Sequence, residues 1–182
     1  MTDTSATADT DTDTPETMWE GRFIKMVKQG KWEYASRCRG IGAAVIVAIT
    51  DADEVILVEQ YRVPIGRTCL ELPAGLIGDV DEGEPLIEAA ARELEEETGY
   101  RPGSIEPLGV FHSSPGMVSE GFTLVRARDL VKVGDGGGDE HEDITVHLVP
   151  RREVAAFVAR KRNEGLAMDV KLLLVLADTL LG

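Results

Sequence analysis

Between Leu86 and Thr98 the chain sets Glu93, Glu96 and Glu97 three and four residues apart. On a helix those three carboxylates share one arc of about 100°. Ala89 falls inside that arc, where a methyl leaves room above the acids. Leu94, Ile87, Ala90 and Ala91 lie on the neighbouring arc and read as core-facing, while Glu88 and Glu95 point away. Arg92 has Glu88 four residues before it and Glu96 four after it, so it can pin both side chains. Crowded carboxylates repel one another unless a positive charge sits among them. Oxygen-only ligands at this density suit Mg2+ or Mn2+. A solvated acidic face is the plainer reading on composition alone, because such faces are common.

Other candidate groups are scattered. Gly134 to Asp143 holds four glycines and five acids, with His141 between Glu140 and Glu142. A loop that long inside a compact domain is more often functional than not. Cys38 and Cys69 have no neighbouring His or second Cys, which argues against a zinc site and a thiolate nucleophile. His112 and His147 sit among strand residues and read as structural. Arg62 is suited to a phosphate, since a guanidinium binds two oxygens at once; an ion pair with Glu59 is its ordinary alternative.

The surrounding elements read as an α+β domain. Phe23 to Val27 and Trp32 to Tyr34 flank Gln29-Gly30 as a hairpin. Ala43 to Ile49 is continuously apolar and β-branched, which predicts a strand covered on both faces. Val55 to Val58 follows a polar turn, and further strands fit Glu106 to Phe111, Phe122 to Ala127 and Ile144 to Val149. Pro85 before Leu86 and Gly99 after Thr98 mark the ends of the acidic helix. Glu153 to Arg162 and Val170 to Leu180 fit two more helices. Residues 1–17 hold seven Thr and five acids with no Lys or Arg, and are expected to be a disordered tail. The expected organisation is that tail, an N-terminal hairpin region over 18–40, and a main domain over 41–182.

Composition excludes several classes. The 182 residues, 43% hydrophobic and 29% charged, suit one domain with a sizeable core. Nineteen Lys and Arg against 33 Asp and Glu give a net charge of −14, so the field repels nucleic acid. A small anionic substrate then needs a metal or a local Arg to reverse the sign. The apolar stretch Leu172 to Leu181 is broken by Asp178, so no membrane span is expected, and no signal peptide is visible. The expected location is a reducing cytoplasm.

The segment from Glu84 through Arg92-Glu93-Leu94-Glu95-Glu96-Glu97-Thr98-Gly99-Tyr100 resembles the Nudix box, G-x5-E-x7-R-E-U-x-E-E-x-G-U. Gly78 matches the leading glycine by count. However, Leu72-Pro73-Ala74-Gly75 is similar to the L-P-A-G that supplies it in the ADP-ribose pyrophosphatase branch, which makes the following loop three residues longer than usual. Glu59-Gln60-Tyr61-Arg62, Ser114-Pro115-Gly116 through Glu120, and Glu140-His141-Glu142-Asp143 resemble that branch's E-Q-x-R, S-P-G-x-x-x-E and acidic base-bearing loop.

The resemblance implies an α/β/α sandwich of mixed β-sheet carrying the acidic helix, with an N-terminal hairpin exchanged across a homodimer. It implies hydrolysis of the diphosphate of a nucleoside diphosphate sugar, ADP-ribose first. GDP-mannose or broad nucleotide-sugar cleavage is the alternative, and a non-catalytic ligand-sensing domain is the alternative of a different class. Glu93, Glu96, Glu97 and the carbonyl of Ala74 are implied to hold Mg2+ or Mn2+. Glu140 is implied as the general base, with Glu142 second and Glu120 behind them; Arg92 is implied to brace the catalytic acids. Arg62, Trp32, Gly116, Met117 and Glu120 are implied to contact the substrate. No nucleic-acid or membrane partner is expected.

Overall fold

A computed structural model of the protein describes residues 14–38, 41–78, 83–138 and 142–181. The expected tail up to residue 13, and Glu140 with His141, lie outside them. In chain order the strands are β1 (Glu16–Glu20), β2 (Ile24–Gln29), β3 (Trp32–Arg37), β4 (Gly42–Ala48), β5 (Glu54–Arg62), β6 (Arg67–Glu71) and β7 (Ala74–Ile77). After helix α1 (Leu86–Thr98) come β8 (Tyr100–Arg101), β9 (Ser104–Phe111), β10 (Phe122–Arg128), β11 (Val131–Lys132) and β12 (Thr145–Pro150). Helix α2 (Val154–Asn163), β13 (Ala167–Met168) and α3 (Leu173–Leu181) complete the chain.

The chain divides into two compact units. One takes in the residues before Ile41 with Ser114–Glu120, the other Ile41–Ser113 with Gly121–Gly182. In the first, β1, β2 and β3 form an antiparallel sheet in which Val27 opposes Tyr34 and Met26 opposes Ala35. The loop Ser114–Glu120 is tied to β3 by Ala35, whose N–H donates to Met117 O and whose carbonyl accepts from Ser119 N, at 2.9 and 3.0 Å.

The second unit holds two four-stranded sheets, ordered β7-β4-β10-β9 and β12-β5-β6-β13. Strand β4 runs parallel to β10 and antiparallel to β7, so it is an interior strand, and its unbroken apolar run is required. Alternate residues of β4 enter different cores. Val45 joins Leu57, Leu70, Leu72 and Leu124 with Phe157 and Val158 of α2 and Leu172 and Leu176. Ala44, Ile46 and Ala48 join Ile56 and Val125 beneath Ala90 and Leu94 of α1. Helices therefore cover both sides of a mixed-sheet layer, as the resemblance implies.

Several boundaries differ from expectation, each for a physical reason. β1 begins at Glu16, inside the expected tail, because Thr17 and Trp19 find ladder partners in Val27 and Met26. β5 continues four residues past Val58, because β6 folds back on it from Arg62↔Arg67 to Val58↔Glu71. The last helix starts at Leu173; Val170–Leu172 is a tighter 3-10 turn, capped by Asp169 Oδ1 accepting from Lys171 N at 2.7 Å. Ile87, expected in the core, is 47% exposed, and Ala89, expected beneath open space, is fully buried. Among the described residues no helix is long and apolar enough to cross a membrane.

Candidate active site

Helix α1 begins after Pro85, whose extended backbone sets its entry, and stops at Gly99, which takes the left-handed conformation with φ of 72°. Its buried residues are Ala89, Ala90, Leu94, Glu97 and Thr98. Glu97 thus lies in the middle of the buried arc. It is 4% exposed, and its Oε2 accepts from Ala74 N at 3.1 Å. Burial pushes its carboxyl up to about 8; the Ala74 N–H opposes this, while Glu142 and then Glu93 add to it. A solvated acidic face does not explain such a group.

Glu93 lies against Gly75, where any Cβ would collide with its side chain. That close approach makes Gly75 a glycine that the acidic helix requires. Arg92 spans the acids. Its Nε and Nη2 donate to Glu84 at 3.1 and 3.2 Å, and its Nη1 lies 3.0 Å from both Glu93 Oε1 and Glu96 Oε2. Glu96 is thereby drawn toward the helix surface and is half exposed.

The glycine loop is docked on the helix end. Gly137 N donates to Glu97 O at 2.8 Å and Gly138 N to Glu96 O at 3.0 Å, filling terminal carbonyls that a helix leaves without partners. A Cβ at Gly136 would strike Glu97 O and the Thr98 backbone, and its φ of 72° is left-handed. These glycines allow the loop to sit flush on α1.

The end of β5 meets this loop. Gln60 Nε2 donates to Glu142 Oε1 at 3.2 Å. Arg62 forms a bidentate pair with buried Glu71, through Nε at 2.7 Å and Nη2 at 2.8 Å, rather than with Glu59. Glu59 Oε1 lies instead 2.7 Å from both His147 Nε2 and Lys161 Nζ. His147 also rests on Phe157 at 5.1 Å, which gives it a structural setting. Cys38 and Cys69 are both free, and burial, with Glu71 adding, pushes the Cys69 thiol up to about 12, an inert form.

Among the described residues no three His, Cys, Asp or Glu side chains are gathered closely enough to hold a metal. The donor set nevertheless fits a divalent cation. It is all oxygen, and like charges surround a buried carboxyl that a cation would favour in its ionised form.

Within the first unit, Gln29, Trp32, Tyr34, Pro115, Gly116, Val118 and Ser119 line a cavity of about 290 Å³. Trp32 is 53% exposed there, and Tyr34 Oη donates to Gln29 Oε1 at 3.5 Å. Met117 is 70% exposed, and Glu120 pairs with Arg37 Nε at 2.5 Å.

Residues 40–168 match the NUDIX domain family. The chain belongs to the Nudix family. It is 33% identical over 154 residues to the methanol dehydrogenase activator of Bacillus methanolicus, covering 81% of this chain and 82% of the relative. It is 39% identical over 89 residues to the ADP-ribose pyrophosphatase of Bacillus subtilis, covering 49% and 46%. Against the GDP-mannose pyrophosphatase of Cronobacter sakazakii it is 36% identical over 147 residues, covering 76% and 72%. A crystal structure of an ADP compounds hydrolase superposes with a TM-score of 0.66 at 26% identity, covering 92% and 91%. The protein is a Nudix pyrophosphohydrolase, and Nudix hydrolases work with divalent metal ions.

Two participants escaped the sequence reading. Glu71 ends β6 immediately before Leu72-Pro73-Ala74-Gly75, and an acid between Leu70 and Leu72 was its signal. Gln60 stood inside the quoted Glu59-Gln60-Tyr61-Arg62, but an amide carries no charge pattern to mark it.

Proposed function

We propose that this Nudix enzyme hydrolyses the diphosphate of a nucleoside diphosphate sugar, ADP-ribose before others, to a nucleoside monophosphate and a sugar phosphate. The observation that carries the reading is Glu97, buried among like charges against the strand that bears Ala74. Glu93, Glu96, Glu97 and the Ala74 carbonyl would hold Mg2+ or Mn2+. When bound, the cation neutralises diphosphate charge and makes water more acidic. Arg92 keeps Glu93 and Glu96 on one side of α1, and Glu84 holds Arg92 in turn.

Of the two acids that the resemblance offers as general base, Glu140 before Glu142, Glu140 lies outside the described residues, and Glu142 has neighbours that support the role. Its carboxylate lies within electrostatic reach of Glu97 and is held by Gln60. It takes the proton from water as the new P–O bond forms, and the anhydride P–O bond breaks with the second phosphate as leaving group. Arg62 presents a guanidinium of which Glu71 occupies one edge, and its other edge grips a phosphate oxygen. Trp32, Gly116 and Met117 receive the nucleobase, for which the cavity at Trp32 supplies an aromatic platform. The two free thiols suit a reducing cytoplasm.

ADP-ribose is favoured by the relatives named for ADP-ribose and ADP compounds; GDP-mannose is the second reading, on the longer match to a GDP-mannose pyrophosphatase. A panel of ADP-ribose, GDP-mannose and nucleoside triphosphates with Mg2+ or Mn2+ tests this. ADP-ribose should give the highest kcat/KM and EDTA should abolish turnover. Full activity in excess chelator would sink the reading.

The enzyme is a homodimer. Val27 is the one buried residue described in the first unit, while Met18, Trp19, Phe23, Ile24, Met26 and Trp32 are 39–58% exposed. Three short strands that leave so many large apolar side chains exposed offer a hydrophobic face for a second copy to cover. Light scattering at micromolar concentration should give twice the 19.7 kDa chain mass. A monomer mass would refute the dimer.

A further inference from the structure

Resting on the assignment of Glu142 as base, we propose that Gln60 is a positioning residue, whose side-chain amide holds the Glu142 carboxylate in the orientation from which it accepts the water proton. β5 overruns β12: the last pair of their ladder is Thr145↔Glu59, so Gln60 is the first residue beyond it. Its side chain meets the segment entering β12, and Nε2 reaches Glu142 Oε1 at 3.2 Å.

Side chains two apart on a strand share a face, so Val58, Gln60 and Arg62 point the same way. Glu71, opposite Val58, belongs to that face too. Arg62 is engaged there by Glu71, and Gln60 donates to Glu142. The amide N–H of Gln60 is a directional donor, so its bond to one carboxylate oxygen favours one orientation of the Glu142 side chain.

Gly138 bounds Glu142 from another side. A Cβ there would lie 2.5 Å from Glu142 Oε2 and 2.7 Å from its Cβ, while Gly138 N is itself bonded to Glu96 O. Glu142 thus sits between a backbone docked on the Nudix helix and the amide of Gln60. Its rotamer freedom is reduced, and small errors of placement are costly in rate.

The test compares Gln60→Met, Glu142→Gln and the double variant, with ADP-ribose and Mg2+ as the probe. Methionine keeps the length of the side chain and removes the donor. Gln60→Met should lower kcat about 10-fold, with KM within about twofold and the thermal midpoint unchanged. The double variant should be no slower than Glu142→Gln alone, because Gln60 acts through Glu142. Gln60→Glu, which sets a second carboxylate against Glu142, should lose more than Gln60→Met and gives the readout if that variant fails to fold. Wild-type kcat in both Gln60 variants beside an impaired Glu142→Gln overturns the inference alone, as do losses that multiply in the double variant. Wild-type kcat in Glu142→Gln overturns the base assignment, and the inference with it.

Discussion

Glu97→Gln is expected to lower kcat by about 10²-fold or more, the scale of losing an electrostatic element of the transition state. The change keeps the shape of the side chain and the acceptor for Ala74 N, but removes the charge. Because burial holds the Glu97 carboxyl at about 8, a cation must displace its proton at lower pH. Divalent affinity of the native enzyme should therefore fall about tenfold per pH unit below about 8, with proton release on binding. Calorimetric Mn2+ titrations at several pH values, in buffers of different ionisation enthalpy, measure both. The sign for stability is the opposite of a salt-bridged acid. A carboxyl raised in the folded state costs stability as pH climbs from the ordinary carboxylate range toward 8, so the metal-free enzyme should melt lower at the alkaline end. Glu97→Gln should flatten both dependences. Metal affinity independent of pH in the native enzyme would remove Glu97 from the ligand set.

Glu142→Gln should reduce kcat by about 10²- to 10⁴-fold and leave KM within a few-fold, since a general base acts on the chemical step. Divalent affinity should change far less than in Glu97→Gln. Steady-state kinetics at saturating metal separate the two roles. Near-normal kcat in Glu142→Gln with a large loss in Glu140→Gln would move the base two residues upstream, to the residue that the resemblance alone favours. Activity in both variants would place it elsewhere, with Glu120, which pairs with Arg37, the remaining acid of the family pattern.

The acidic helix was legible residue by residue. Pro85, the run of helix formers and Gly99 are local signals, and they delimit Leu86–Thr98 without reference to the rest of the chain. β4 was legible for a related reason, because a strand buried on both faces must be apolar throughout. β6 and β7 were harder to read. They are short, they straddle Leu72-Pro73, and their strand character comes from β5 and β4 pairing with them. β13 is two residues long and exists only as a parallel partner of Cys69 and Leu70.

By itself the sequence determined that three carboxylates and Arg92 lie close together on α1, because spacing along one chain and short-range helix geometry carry that. Gly75 and the acids of the loop 134–143 were marked by resemblance to a family pattern. Only the tertiary structure decided which acid is buried, because a helical wheel gives the angle of Glu97 but not what covers it. Only the tertiary structure paired Arg62 with Glu71, gave Glu59 to His147 and Lys161, and set Gln60 on Glu142. Those partners lie 9 to 102 residues apart in the chain. Their meeting depends on strand register, and register is a property of the folded sheet.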